Sequence, residues 1–347
     1  MNDFFKDFEN FTESWWPYII SFLISVISGI RMYFGGTYCS SQARLDGKNI
    51  IITGGSSGIG LETAKELAKR GANLILAIRN GEKGVKALEE IRLVQKQASV
   101  QIKILDVSEF SSIRNFVEEI KQEYNKIDVL INNAGVIGNK SANPVDENEA
   151  IFSTNYLGPF LLTHLLLPLL SQSDNGRVIN VSALAHYNGK LRLDETFGQS
   201  STTQEAFAES KLALTVFTKY IAQLHKNTNM TFNAVSPGLV RSTGHWTNFS
   251  QLYSSYLTKF SILPWVWLFL KTPKQGCQTI VYLAVEPSLH KVSGCYFSDC
   301  EIKEPADVAN DYNVARTLYE KTCKIVAVES ENLNIQKKSA LEKEEIN

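Results

Sequence analysis

Apolar positions along this chain fall into two alternating spacings. Short aliphatic runs at Ile50-Ile51-Ile52, Asn73 to Ala77, Gln101 to Leu105, Val129-Leu130-Ile131, Arg177 to Ser182 and Thr231 to Val235 read as buried strands. Between them the spacing turns helical. Leu61, Ala64, Leu67 and Ala68 share a face, as do Ile113, Phe116, Val117 and Ile120, and a helix over 81–95 would turn Val85, Leu88 and Ile91 inward. Further helices are predicted over 151–170, 203–225 and 273–285, then a strand at Gly294 to Phe297 and a last helix from Asp307 to Ile325. Strand and helix in regular alternation predict a doubly wound α/β fold around a parallel sheet of seven strands. The helix from Ile151 to Leu170 is apolar on nearly every side, so in a soluble monomer it would be buried on nearly every side.

Three stretches depart from this pattern. From Trp15 to Ile30 no residue is charged, and Met32-Tyr33-Phe34 extends the run if Arg31 snorkels. That approaches the ~20 residues of a bilayer span. Its leader carries Asp3, Asp7, Glu9 and Glu13, the opposite of a cleaved signal's basic start. An uncleaved anchor is therefore expected over 15–34, after an acidic leader over 1–14. Arg31, Arg44 and Lys48 follow the charge-free run Trp15 to Ile30 and only Lys6 precedes it, which predicts the main domain on the cytosolic side. The Asn10-Phe11-Thr12 sequon would then be lumenal. Residues 35–45 read as a linker, 46–326 as the domain, and 327–347 as a charged tail lacking aromatics, expected to be disordered. The run Phe260 to Leu270 is strongly apolar, interrupted by Pro264 and too short to span; it reads as a lid over a greasy ligand that also dips into the membrane, or as plain core.

Composition narrows the function. In 347 residues, 35 basic side chains balance 36 acidic ones, so no field favours nucleic acid. Cys39, Cys277, Cys295, Cys300 and Cys323 show neither metal-ligand spacing nor an even disulfide count, and read as free thiols. No metal site is predicted.

The chemistry starts where the first strand ends. Ile50-Ile51-Ile52 runs into Thr53-Gly54-Gly55-Ser56-Ser57-Gly58-Ile59-Gly60 and then into a helix. Glycines let the backbone approach a pyrophosphate, while the helix N-terminus supplies N–H donors and a positive dipole end. This is a dinucleotide site. At the end of the second strand, where an NAD reader offers an acidic residue to the ribose, this chain offers Arg79, whose fork suits a 2′-phosphate. NADP(H) is therefore preferred, with NAD(H) as the alternative; the plain reading of Arg79 is a solvated strand-end arginine.

The spacing of Gly54, Gly58 and Gly60, the tetrad Asn132-Asn133-Ala134-Gly135 after a strand, and Pro237-Gly238-Leu239-Val240 after another together resemble the short-chain dehydrogenase/reductase superfamily. Residues 46–326 are most similar to its retinol dehydrogenase branch. Ala183 to Tyr187, Ser210 to Leu214 and Phe269 to Pro273 add a likeness to the X-linked members that act on polyprenoid alcohols. The resemblance implies that Thr53, Gly54, Ser56, Ser57, Gly58, Ile59 and Gly60 hold the cofactor's phosphates. It further implies that Asp106 and Val107 hold the adenine, that Asn133, Ala134 and Gly135 leave room for ribose, and that Pro237, Gly238 and Val240 flank the nicotinamide. It also implies an oxidoreductase of lipophilic alcohols at an endoplasmic reticulum or lipid-droplet surface, often dimeric through the helix at 151–170.

The family's chemistry uses a tyrosine as general acid/base, a lysine four residues later to activate it, a serine on the reacting oxygen and an asparagine in a proton relay. Here the Y-x-x-x-K pattern falls on Phe207-Ala208-Glu209-Ser210-Lys211, and the serine position is Ala183. Lys211 and Asn155 are kept; both hydroxyls are gone. Ser182 cannot step in, because successive strand residues face opposite sides. Tyr187 could bring a phenol from the following loop, though it reads better as a wall of the ligand pocket. Loss of a general acid/base costs roughly 10²- to 10⁴-fold in rate and loss of an oxyanion donor about 10²- to 10³-fold. The expected protein is thus a membrane-anchored dinucleotide binder of impaired catalysis that binds a lipophilic ligand or pairs with an active relative. The alternative is a working NADP-dependent oxidoreductase of retinoid, polyprenoid or steroid alcohols.

Overall fold

The computed structural model describes residues 14–138, 144–194, 197–241 and 268–329. Helix α1 (Trp16–Gly35) precedes the domain, followed by β1 (Asn49–Thr53), α2 (Gly58–Lys69), β2 (Asn73–Ile78), α3 (Gly81–Val94), β3 (Ser99–Ile104), α4 (Phe110–Glu123) and β4 (Val129–Asn132). The second half comprises α5 (Pro144–Phe152), a π-helical turn Ser153–Leu157, α6 (Gly158–Ser171), β5 (Gly176–Val181), α7 (Thr203–Leu224) and β6 (Met230–Ser236). It closes with α8 (Pro273–Gly276), α9 (Gln278–Val285), β7 (Tyr296–Ser298), β8 (Glu301–Lys303) and α10 (Tyr312–Ile325).

The strands form one sheet in the order β3-β2-β1-β4-β5-β6-β7-β8. The first seven run parallel, as the periodicity predicts, and β8 adds an antiparallel edge that turns back from β7. Order reverses between β1 and β4, which leaves a crevice at the carboxyl ends of those strands. Both faces are covered. One core layer joins Ile51, Phe116, Phe160, Phe217 and Tyr319; the other joins Ile50, Ile52, Leu67, Ile91 and Ile280.

Three details differ from the sequence reading. Val85 is 52% exposed, and α3 packs through Gly84, Ala87 and Ile91 instead, because the close approach of Ile78 and Ile102 to Gly84 rolls the helix toward its smallest residue. The apolar helix begins before Ile151 and is interrupted by the π turn, which carries Asn155. Its outer face is also largely covered within the chain: the Tyr156 hydroxyl meets Thr322 Oγ1 at 2.8 Å, and His164 Nε2 meets the Tyr319 hydroxyl at 2.8 Å, both from α10.

Helix α1 is twenty residues long, which gives about 30 Å of rise, the thickness of a hydrocarbon core. Only Gly35 of it is buried, and Trp16, Tyr18, Phe22, Ile24 and Met32 all stand exposed. The acidic leader up to residue 13, most of the expected lid segment and the tail from residue 330 lie outside the described residues.

Candidate functional site

The crevice at the β1/β4 reversal holds a cleft of about 790 Å³. Its floor is the turn from β1 into α2. Gly54 takes φ 67° and Gly58 φ 55°, left-handed conformations that a side chain would strain. A Cβ on Gly60 would collide with the Gly54 carbonyl and the Asn133 amide. Ser57 is extended and its side chain does not cap α2, so the orphan N–H groups of the first helical turn are left to the cleft. Gly54, Ser56, Ser57, Gly58, Ile59 and Gly60 all line it. This cradle of backbone donors at a helix N-terminus fits a pyrophosphate.

Thr53 has a different task from the one expected. It does not line the cleft; its Oγ1 accepts the N–H groups of Asn133 and Ala134, both at 2.9 Å. The Asn133 Nδ2 returns a bond to the Thr53 carbonyl at 2.9 Å, and Asn132 bridges to Asn180 of β5 at 2.8 Å. The tetrad therefore ties β1, β4 and β5 together beneath the cleft while Asn133, Ala134 and Gly135 reach its surface.

At the other end of the cleft lie Arg79, Asp106 and Val107, as expected, joined by Lys83 and Leu105. Arg79 stands mostly exposed with its guanidinium 3.8 Å from Asp106, while Asp106 accepts from the Ser108 N–H and hydroxyl. The sequence reading missed Lys83. Its signal was present: Asn80 caps α3 by accepting the Lys83 N–H at 3.0 Å, which sets Lys83 in the first turn, beside Arg79. Thr154, next to Asn155 in the π turn, also lines the cleft, and no sequence signal marks it.

Around the remaining wall stand Pro237, Gly238 and Val240 with Ala183, Phe207 and Lys211. Lys211 is buried, donates to the Val181 carbonyl at 2.7 Å, and lies 5.8 Å from the centre of the Phe207 ring. Burial pushes its pKa down to about 8. Asn155 holds the neighbouring backbone: its Oδ1 accepts from the Val136 N–H and its Nδ2 donates to the Val136 carbonyl, each at 2.8 Å. A third bond joins it to Ser210 Oγ at 3.1 Å. Asn155 does not line the cleft but sits directly behind Gly135.

At Ala183 and Phe207, where the resemblance led two hydroxyls to be expected, the surface is hydrocarbon. Phe207 packs with Ile151 and Ala206 in one apolar cluster, joined by Val136, Ile137, Ala183 and Ala185. Neither suggested substitute is available. The Ser182 hydroxyl is buried against the Lys211 carbonyl at 3.1 Å and Thr215 Oγ1 at 2.9 Å. Tyr187 is not a wall of the cleft; it leans on His186 and donates its hydroxyl to the Glu304 carbonyl at 2.6 Å.

Comparison with known proteins places this geometry. A family model described as short chain dehydrogenase matches residues 48–253. Human retinol dehydrogenase 13 is 38% identical over 310 residues, covering 88% of this chain and 93% of that protein. Mouse retinol dehydrogenase 12 is 38% identical over 313 residues, covering 90% and 96%. Among solved structures, an uncharacterized protein from Mycobacterium paratuberculosis superposes with a TM-score of 0.66 at 26% identity, covering 85% of this chain and 98% of its own. A short chain dehydrogenase from Shigella flexneri complexed with NADP superposes with a TM-score of 0.60 at 25% identity, covering 75% and 100%. With its glycine cradle, its strand order and these relatives in agreement, the chain belongs to the short chain dehydrogenase family.

Proposed function

We propose that this chain is a membrane-anchored NADP(H)-binding member of its family that retains the dinucleotide site and lacks the proton donor. It would hold a lipophilic ligand or regulate a partner rather than turn substrate over. The observation that carries the reading is the apolar cluster of Phe207 and Ala183 set beside an intact Lys211 and a fully bonded Asn155. When bound, the nicotinamide cofactor supplies or accepts a hydride. What the protein must add is a proton at the reacting oxygen, and a phenyl ring and a methyl group supply none. Phenylalanine keeps the ring's packing, so a binding fold persists without the chemistry.

NADP(H) is favoured over NAD(H) by the two cations Arg79 and Lys83 that line this end of the cleft, and an NADP-complexed relative of the same fold supports it. A lipophilic ligand is favoured by the apolar wall and by the retinol-directed names of the relatives. Helix α1 suits a single span, Arg31 near its end and Arg44 and Lys48 after it favour a cytosolic domain, and the names of the relatives favour the endoplasmic reticulum or a lipid droplet. Pairing with a second copy or an active relative through α6 would use what α10 leaves accessible there, chiefly His164, Leu165 and Pro168.

One observation favours a second reading, a slow working oxidoreductase. The Lys211 ammonium, with a pKa of about 8, faces the reacting end of the cleft and is acidic enough to protonate an alkoxide through a water. Titrating the purified chain with NADPH and NADP⁺, then adding a lipophilic aldehyde or alcohol, separates the readings. Tight cofactor binding without turnover supports the first. Turnover that Lys211→Ala abolishes supports the second, and no nucleotide binding defeats both.

A further inference from the structure

The junction between α1 and the domain is built unlike a tether. Phe34, in the last turn of α1, stacks edge-on against Phe269 with centroids 4.8 Å apart at 87°. A Cβ on Gly36 would collide with the Asp299 carboxylate and the Lys271 ammonium, so the chain leaves the helix pressed against that ion pair. Next along, the Thr37 carbonyl accepts from the Cys300 thiol at 3.8 Å, and the Cys39 N–H donates to Gln278 Oε1 at 3.2 Å. Successive residues after the helix are thus held by three different segments of the domain.

The gripping turn is itself strained. Asp299 and Cys300 join β7 to β8 with φ of 54° and 61°, consecutive left-handed conformations that suit Asn-Gly in such a hairpin and that a cysteine adopts at a cost. The surroundings over-determine it: Asp299 pairs with Lys271, and the Cys300 N–H donates to Thr279 Oγ1 at 3.2 Å. Lys271 carries the connection onward. Its N–H donates to the Leu239 carbonyl and its own carbonyl accepts from Arg241, both at 2.9 Å, bridging it to Val240. Gly238 and Val240 line the cleft, while Leu239 between them points away and is 62% exposed.

We infer that this clamp fixes the domain against the bilayer so that Leu239, at the cleft's rim, and Phe269, against the end of α1, lie in the interfacial layer of the lipid beside Phe34. The occupant of this apolar rim is the lipid surface, because the rim continues directly from the helix that enters it. A greasy ligand then passes between bilayer and cleft without crossing water. The inference rests on α1 spanning the membrane, and adds to that reading an orientation.

The test uses the full chain in phosphatidylcholine vesicles, with an environment-sensitive fluorescent amino acid placed singly at the positions of Val26, Leu239, Phe269 and Leu93. Leu93 lies on α3 and is 84% exposed. Lipids brominated deep or shallow in the acyl chain serve as quenchers. Deep quenching at 26, shallow quenching at 239 and 269, and none at 93 is the expected result. Quenching at 26 with none at 239 and 269 overturns the orientation while leaving the anchor standing; no quenching at 26 overturns both. Asp299→Ala, which releases Lys271 and the chain at Gly36, should abolish quenching at 239 and spare it at 26. Unchanged quenching at 239 in that variant would show that the clamp does not set the orientation.

Discussion

The Lys211 ammonium lies 5.8 Å from the centre of the Phe207 ring and spends its hydrogen bond on the Val181 carbonyl, 2.7 Å away. On the proposed reading, the lysine that would sharpen a phenol's acidity stands over a ring with no proton to give. What remains is a buried cation with one neutral acceptor and a weak contact with an aromatic face, which accounts for its depressed pKa.

That cation destabilises the fold, and the sign can be worked out. Its folded pKa of about 8 lies below the ordinary 10.5, so between those values the unfolded chain binds more protons than the folded one. Stability therefore rises with pH across that window, by up to about 3 kcal/mol, and the penalty is fully present below pH 8. Lys211→Met removes the charge while leaving the Val181 carbonyl without its donor, a loss of roughly 1 kcal/mol. Thermal unfolding of the cofactor-free chain should show the variant more stable at pH 7 and the advantage gone above about pH 10.5. An advantage that does not vary with pH would contradict the burial of a charged lysine.

Arg79→Ala should weaken NADPH binding on the order of 10-fold, the modest figure reflecting an exposed guanidinium screened by water, and leave NADH binding nearly unchanged. Calorimetric titration with both cofactors checks it. Equal losses for the two would show that Arg79 does not read the 2′-phosphate.

Gly60→Ala places a methyl group against the Gly54 carbonyl, which is backbone and cannot swing aside. Expected is a destabilisation of about 1–3 kcal/mol together with loss of the rise in melting temperature that NADPH produces in the unmodified chain. Retention of that rise would mean the turn is not the phosphate cradle.

The sheet and the cradle are legible in the sequence because buried parallel strands are nearly pure aliphatic runs, and because a strand, a glycine turn and a helix in that order leave few alternatives. Other features are not legible, for identifiable reasons. Glu301-Ile302-Lys303 forms a strand only because the turn at Asp299 and Cys300 folds it back onto β7; alone, three exposed residues show no pattern. The π turn holding Asn155 has the same apolar periodicity as the helices flanking it, so its extra residue per turn goes unseen. Val85 faces outward because a glycine's small size, rather than an apolar stripe, decides how α3 seats. Thr53 is a support and not a contact, a distinction that depends on where its hydroxyl points.

The apolar identity of Ala183 and Phe207, by contrast, is a matter of sequence alone, and the structure adds that, among the described residues, the hydroxyls of Ser182 and Tyr187 are bonded elsewhere. The most direct measurement is the rate of NADPH oxidation with a lipophilic aldehyde such as retinal, compared between the unmodified chain and the double variant Ala183→Ser, Phe207→Tyr. Activity in the double variant that exceeds the unmodified chain by on the order of 10³-fold or more is the predicted result. Equal, substantial turnover by the two would contradict it.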